Sequence, residues 1–490
     1  MIVKDLKPSG ANIGKLYGTC KVHKAEYPIR PIVSMIGTPE YNLARYIDEL
    51  IKPNLPAKYS IKSNVEFLDR LKTFTYFKSD YCVSFDVVSL FTNIPLSETI
   101  TMVSNVLYSD KAFKKPPMPK TSFISLLKCA TGGIFSYQEK LYKQHDGVTM
   151  GNPLAPTLAN FFLGYMETKM LEDNVNDNDR KNFPALYVRY VDDVFCIFRE
   201  GYDHKKFLAR LNNLHENLTF TCEFGGNSIP FLDMHVMLTN EQVETNVFRK
   251  KTNTDVFINY KSNAPTKWKA GLIKCFIHRA KTICSDKTKL DQEINNLRNI
   301  FSKNGYPKHF FEKVVRENTQ TNNETSDTTS NDFILKIPYV GKPSTTFSNK
   351  MKNLVQMEFN KEIRTVYQTD KVGNYFVLKD KTPQTILPKV VYQFICPSDS
   401  ETKYIGYTNR SLGERVKEHL RGGTAISDHI GSCADCSNTK ITIDNFNVLK
   451  KCRTNYETMI FEAIFIKRFK PSLNHQLIKP GKTYFLGVFD

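Results

Sequence analysis

The sequence predicts a multidomain α+β protein: a large mixed unit, a basic stretch, a polar break, and a smaller α/β unit towards the C-terminus. Three observations predict it. Strand-like runs of β-branched and aromatic residues alternate with stretches of helical spacing. The length of 490 residues suits two or three domains. Residues 317–332 are Asn, Thr, Ser, Gln and acidic side chains almost throughout, with no apolar residue before Phe333. Such a run cannot bury a core and reads as a flexible linker.

Composition narrows the function classes. Hydrophobic residues make up 41%, enough for real cores. Lys and Arg number 68 against 50 Asp and Glu, a formal charge of +18. That excess points to a polyanionic partner, most often nucleic acid. The 11 cysteines are odd in number and scattered. Residues 1–7 lack the apolar core of a signal peptide, and no run reaches the length of a membrane span. The expectation is a protein of a reducing intracellular compartment, without disulfides and without a membrane partner.

In chain order, residues 12–34 read as two short strands joined by a basic, Pro-bearing turn. Residues 39–75 have helical spacing at Leu43, Tyr46, Ile47, Leu50 and Ile51. Residues 81–91 form a strand-like run carrying one carboxylate, Asp86. Amphipathic segments at 97–107 and 121–129 flank a Lys/Pro loop. Residues 147–156, Gly-Val-Thr-Met-Gly-Asn-Pro-Leu-Ala-Pro, lead into a helix. Apolar runs at 185–188 and 194–198 bracket Tyr190-Val191-Asp192-Asp193, which reads as a buried hairpin with an acidic pair at its tip. A helix over 203–217 opened by Asp203, a strand at 218–224 and the stretch Pro230-Phe231-Leu232-Asp233 follow. Asp233 is read as structural and not as a metal ligand.

Adjacent ionised carboxylates repel each other and resist desolvation. A solvated Asp-Asp turn is the plain alternative. A divalent cation offsets both penalties. Asp86, Asp192 and Asp193 together make a three-carboxylate site for two Mg²⁺ ions, which can clamp the attacking and leaving oxygens of a phosphoryl displacement. Lys21, Lys24 and Arg30 would meet a triphosphate, the Arg bidentately; a solvated basic hairpin is the alternative. Residues 248–285 are basic with interleaved aromatics and hold the single Trp, Trp268. That mixture suits a phosphate track with stacking platforms.

The C-terminal part assembles different groups. Residues 391–396 and 403–408 read as strands bearing Tyr392 and Tyr404. A helix at 411–420 sets Arg415 and His419 one turn apart on one face. A helix at 456–469 embeds Glu462 among apolar residues, where an unpaired carboxylate would be expensive, and Asn474 lies beyond its end. His429, Cys433 and Cys436 have metal-ligand spacing, with Cys396 or Cys452 as a fourth ligand and zinc as the ion. The alternative is a loop of reduced thiols.

In order and spacing, Asp86-x4-Phe91, the 147–156 stretch and Tyr190-Val191-Asp192-Asp193 resemble motifs A, B and C of reverse transcriptases. The resemblance implies a right-hand polymerase of fingers, palm and thumb. Catalytic Asp86, Asp192 and Asp193 would hold two Mg²⁺. Lys21, Arg30, Gly151 and Asn152 would lie on the substrate side. Phe91 would exclude the ribose 2′-hydroxyl and so select dNTPs. Met150, where many reverse transcriptases carry Gln, looks like the Penelope-like branch, and the 248–285 segment looks like its thumb.

Tyr392, Tyr404-Ile405-Gly406, Arg415, His419, Glu462 and Asn474 resemble a GIY-YIG endonuclease whose first motif has degenerated to Val390-Val391-Tyr392. This implies one divalent metal at Glu462, Tyr392 as general base with Tyr404 beside it, and Asn474 as a supporting contact. The metal and Arg415 would help the phenol deprotonate.

Together the two units resemble Penelope-like retroelement proteins. The implied partners are an RNA template, a DNA primer or target, and dNTPs. The implied activity is nicking coupled to target-primed reverse transcription, in the nucleus after cytoplasmic synthesis. The expected domains are fingers and palm at 1–240, a thumb-like region at 241–316, the linker at 317–332, a connector at 333–389 and the endonuclease at 390–490. Two rivals stand beside this reading. A group II intron maturase would add a basic X domain, which the chain does not display. A nucleic-acid-binding remnant is suggested because family members carry more chain before the fingers.

Overall fold

The computed structural model describes residues 6, 12–22, 26–138, 140–172, 182–239, 242–320, 333–369, 376 and 382–474. Lys24, residues 321–332 of the expected linker, and residues 370–375 and 377–381 of the expected connector lie outside the described residues.

Strands β1 (Gly14–Cys20) and β2 (Ile29–Ser34) form the expected basic hairpin, with Arg30 opposite Thr19. The helical spacing over 39–75, expected to supply the fingers helices, resolves into α1 (Glu40–Ile51) and α2 (Asn64–Thr73). Pro53 and Pro56 fall between them, and proline cannot continue a hydrogen-bonded helix. Ser63 caps α2 by accepting from the Glu66 amide at 3.3 Å. Its Phe67 packs on Phe195 and Phe231, so α2 covers the back of the palm and does not belong to the fingers.

Next come β3 (Tyr81–Val87), α3 (Leu90–Asn93), α4 (Leu96–Leu107) and α5 (Lys120–Thr131). A hairpin of β4 (Ile134–Tyr137) and β5 (Lys140–Lys143) extends the first sheet to the order β2-β1-β4-β5. Helix α6 (Ala155–Leu171) has 11 of its 17 residues buried and runs through the main core. Strands β6 (Leu186–Tyr190) and β7 (Asp193–Phe198), helix α7 (His204–Asn212) and strand β8 (Phe220–Gly226) complete the palm. The palm sheet is antiparallel with the order β6-β7-β3-β8. Helix α7 stops five residues before the expected end at 217. Asn212 turns its carboxamide onto strand β8, accepting from the Phe220 amide at 2.6 Å.

A three-stranded sheet, β9 (Ser228–Phe231), β10 (Met234–Leu238) and β11 (Val243–Val247), straddles the boundary expected at 240. Helices α8 (Thr266–Ile283), α9 (Lys287–Lys303) and α10 (Lys308–Gln320) then pack around Ile273, Ile277, Leu297, Phe301 and Phe311. Helix α10 carries four residues into the expected linker. The connector is a parallel β-α-β unit of β12 (Phe333–Pro338), α11 (Lys342–Phe359) and β13 (Ile363–Gln368).

The last unit has the sheet order β15-β14-β16, from β14 (Val390–Ile395), β15 (Lys403–Thr408) and β16 (Phe446–Lys451). Around it lie α12 (Leu412–Arg421), α13 (Ala425–Ser432), α14 (Ala434–Asn438) and α15 (Asn455–Phe469). The unit begins a few residues before 390. The Leu412 amide donates to the Leu387 carbonyl at 3.0 Å, and Gln384 bonds the Phe446 carbonyl.

Candidate active sites

The palm carboxylates converge because of strand register. Asp86 at the end of β3 stands directly opposite Asp193 at the start of β7. Val191 and Asp192 form the tip of the β6–β7 hairpin. Val191 adopts φ 56°, a left-handed conformation that a β-branched residue resists. The Val87 amide donates to the Asp192 carbonyl at 3.1 Å, tying the tip to the strand that carries Asp86. Burial pushes the Asp192 carboxyl above its usual range, Asp86 adds to this, and Arg30 and Lys21 pull it back. The fingers cations therefore act on the palm pair. Three crowded oxygen-donor groups fit hard divalent cations, whose charge would relieve the repulsion.

The 147–156 loop is held between fingers and palm. The Val148 amide donates to the Phe91 carbonyl at 2.7 Å, and the Val33 amide to the Met150 carbonyl at 2.9 Å. Its two glycines are required by close approach. Gly147 has φ +75°, and a Cβ there would lie 2.6 Å from the Thr92 carbonyl oxygen. Gly151 has φ +121°, and a Cβ would lie 2.1 Å from the Val33 carbonyl oxygen. Asn152 departs from its expected substrate role. It is 6% exposed, its amide donates to the Ala130 carbonyl at 2.8 Å, and its oxygen accepts from the Leu154 amide at 2.9 Å. It shapes the turn into α6. Phe91 is half-buried at the edge of the main core.

Sequence reasoning passed over Arg189 and Glu167. Arg189 is fully enclosed and Glu167 is 3% exposed. They pair bidentately, Nε to Oε1 at 2.6 Å and Nη2 to Oε2 at 3.0 Å. The signal was a charge inside each of two apolar runs, Leu-Tyr-Val-Arg-Tyr and the α6 sequence.

Beyond the palm, Asp233 is paired with Arg279 of α8 at 3.5 Å, and its carbonyl accepts from the Phe248 amide at 2.9 Å. Lys269 is not available to a phosphate: it is buried and donates to the Tyr260 and Ser262 carbonyls at 2.6 and 2.9 Å. Trp268 is partly exposed.

In the C-terminal unit, Gly406 lets two tyrosines meet. A Cβ there would lie 2.7 Å from the Tyr404 ring and 2.8 Å from the Tyr392 hydroxyl. The Tyr392 hydroxyl accepts from Arg415 Nε at 3.2 Å and lies 2.7 Å from His419 Nε2. His419 Nδ1 lies 3.1 Å from the Thr424 hydroxyl. The imidazole thus bridges the Tyr392 phenol and the Thr424 hydroxyl. His419 is 1% exposed. Burial, then Arg415, push its pKa down to about 4, so it is neutral at pH 7.

The roles expected of the two tyrosines are rearranged. Tyr392 is fully enclosed, and burial with Tyr404 holds its phenol well above the usual range despite Arg415. Tyr404 instead lines an open depression with Tyr407, Thr408, Asn409, Arg410, Arg415 and Glu462. Glu462 is half-buried at its edge rather than sunk among apolar side chains. One carboxylate beside hydroxyls, an amide and two guanidinium groups fits a divalent cation with an anionic ligand. Asn474 exchanges both amide ends with the Ile405 backbone, each at 2.7 Å, and so fixes the strand between the tyrosines and the depression.

Cys396, His429, Cys433 and Cys436 gather with their ligand atoms all within 4.8 Å of one another. The Cys396 and Cys436 sulfurs are 3.3 Å apart, too far for a disulfide. Burial, then Cys396 and Cys433, push the Cys436 thiol up to about 12. Three sulfurs and one imidazole at this spacing fit a tetrahedral soft-metal site. Cys396 is thus the fourth member, and Cys452 packs elsewhere with Val391, Ile405 and Ile466.

Comparison with known proteins matches these units. Residues 24–223 match the reverse transcriptase (RNA-dependent DNA polymerase) family, residues 388–476 the GIY-YIG catalytic domain, and residues 256–316 an animal helix-turn-helix domain. No curated protein matches the chain significantly. Similar solved structures include telomerase from Candida albicans with a fragment of telomeric RNA, at 11% identity and TM-score 0.42, covering 65% of this chain and 61% of that one. Apo telomerase from Candida Tropicalis, truncated from its C-terminal domain, has 14% identity and TM-score 0.36, covering 48% and 55%. A Sicinivirus 3Dpol RNA-dependent RNA polymerase has 12% identity and TM-score 0.40, covering 65% and 71%. The chain thus spans 55% and 61% of the two telomerase chains. It carries a reverse-transcriptase domain and a GIY-YIG catalytic domain, and no described helix is long and apolar enough to cross a membrane.

Proposed function

From a reverse-transcriptase domain and a GIY-YIG domain on one chain, we propose an RNA-directed DNA polymerase of a Penelope-like retroelement, coupled to an endonuclease that nicks DNA for target-primed reverse transcription. The observation that supports the reading is a gathering of polar side chains at two places. Asp86, Asp192 and Asp193 stand together in the palm, and Tyr404, Arg415 and Glu462 share one depression. The endonuclease exposes a 3′-hydroxyl in target DNA, and the palm extends it along an RNA template with dNTPs. The site of action is the nucleus, after cytoplasmic synthesis.

In the palm, Asp86, Asp192 and Asp193 would hold two Mg²⁺ ions, which would supply charge neutralisation at the attacking and leaving oxygens. Arg30 and Lys21 meet the triphosphate, and Phe91 crowds the ribose 2′ position. In the nuclease, Glu462 would hold one Mg²⁺ and Arg415 would face the scissile phosphate. Burial and Glu462 hold the Tyr404 phenol above its usual range and Arg415 draws it back; Tyr404, at the solvent side, would lose its proton to solvent beside Arg415 and, as the phenolate, take the proton of the attacking water. Tyr392 passes its hydrogen bond inward to neutral His419 and orients Arg415. Cys396, His429, Cys433 and Cys436 would hold a Zn²⁺ ion, and through it would tie the end of β14 to α13 and α14.

Primer extension on an RNA template with Mg²⁺ and dNTPs, beside Asp192→Asn, tests the reading. Extension by the parent alone is expected. A well-folded parent that extends no primer would leave a binding-only remnant.

A further inference from the structure

The hairpin tip that presents Asp192 is held from beneath. Arg189 Nη1 donates to the Val191 carbonyl at 3.0 Å and to Asn160 Oδ1 at 2.7 Å. The rest of the guanidinium is locked on Glu167, which also accepts from the Tyr187 hydroxyl at 2.7 Å. Asn160 and Glu167 are seven residues apart on α6, hence on one face of the helix that follows the glycine loop. The Val191 carbonyl belongs to the peptide entering Asp192, and the Asp192 carbonyl, held by the Val87 amide, to the peptide leaving it. Both peptide planes around the acidic residue are therefore fixed, one by the β3 backbone and one by Arg189.

The tip needs such a restraint. Val191 sits at φ 56°, and strained backbone persists only where its surroundings over-determine it. A buried ion pair is weak evidence for stability and is better accounted for when it fixes a geometry.

We propose that Arg189 is a positioning residue of the polymerase site, and that the Glu167–Arg189–Asn160 cluster transmits the placement of helix α6 to the Val191–Asp192 turn, setting where Asp192 meets a divalent metal. The proposal rests on the polymerase reading of the palm. Burial works against the Arg189 charge, while Glu167, Tyr187 and Asp192 sustain it.

The full chain tests this with Asn160→Ala and with the pair Glu167→Gln/Arg189→Met. The pair removes both charges at once, so neither is left buried alone, and Gln still accepts from Tyr187. Mn²⁺ binding is read by electron paramagnetic resonance in a Glu462→Gln background, and dNTP kinetics and nicking in the chain without that change. For the pair, Mn²⁺ affinity is expected to fall about tenfold and kcat about 10²-fold, with KM for dNTP and nicking near parental values. Asn160→Ala moves both readouts the same way by a smaller factor, and decides the matter if the pair does not fold. Parental Mn²⁺ affinity and kcat in folded variants would show the cluster to be packing alone. If the parent extends no primer, the polymerase reading fails, and the Mn²⁺ measurement still decides whether the cluster places the carboxylates.

Discussion

In the palm, three carboxylates are driven together from two strands and a turn. In the nuclease, Glu462 shares a depression with a half-buried phenol and two guanidinium groups, both paired with Glu418, and behind them lie an enclosed phenol and a neutral imidazole. The palm leaves like charges crowded, so a cation is needed to complete it. The nuclease builds its field from Arg415 and from groups kept neutral by burial. Asp192 is pushed towards its uncharged form by burial and by Asp86, whereas His419 is pushed towards its uncharged form by burial and by Arg415. Similar desolvation thus acts on a crowded carboxylate in one site and on a hydrogen-bonded imidazole in the other.

The largest expected effect separates the two sites. Asp192→Asn should lower extension by at least about 10³-fold and leave nicking intact, while Glu462→Gln should do the reverse. Assays of both activities on both variants check this, and a joint loss would break the two-site comparison. Next, Tyr404→Phe should lower nicking about 10²-fold, and Tyr392→Phe by much less, since its hydroxyl does not reach the depression. Equal losses would return the proton-accepting role to Tyr392.

A third prediction uses pH. His419 titrates near 4 when folded and near 6.5 when unfolded. Between those values the unfolded chain binds the extra proton, so nuclease stability falls as pH drops from about 6.5 to about 4. The loss is on the order of 3 kcal/mol. Denaturation of the nuclease unit followed across this range should slope downward towards acid, and His419→Asn should flatten it.

Metal removal sharpens the contrast further. With zinc at about 100 times its Kd, the Cys/His cluster would contribute about 2.7 kcal/mol, and chelation should lower nuclease melting by about 10–20 °C. Palm melting should not move. Smallest is Asn474→Ala, which orphans the Ile405 amide and carbonyl and should destabilise the nuclease by about 1–3 kcal/mol.

The sequence by itself determined the chemistry-bearing residues and the order of the units. Acidic pairs, glycines and a Tyr-Ile-Gly turn are local signals, because their spacing alone restricts what the backbone can do. Strand identity around Asp86 and Asp192 was legible for the same reason: apolar β-branched and aromatic runs have a period and a length. Tertiary structure alone decided what depends on approach between distant segments. It set Asp86 against Asp193 through strand register, turned Asn152 inward and sent Phe67 to the palm. It also exchanged the exposure of Tyr392 and Tyr404, selected Cys396 over Cys452, and joined Arg189 to a carboxylate 22 residues away on α6. Burial, and the electrostatics that follow from it, are properties of the packed molecule, and no window of sequence contains them.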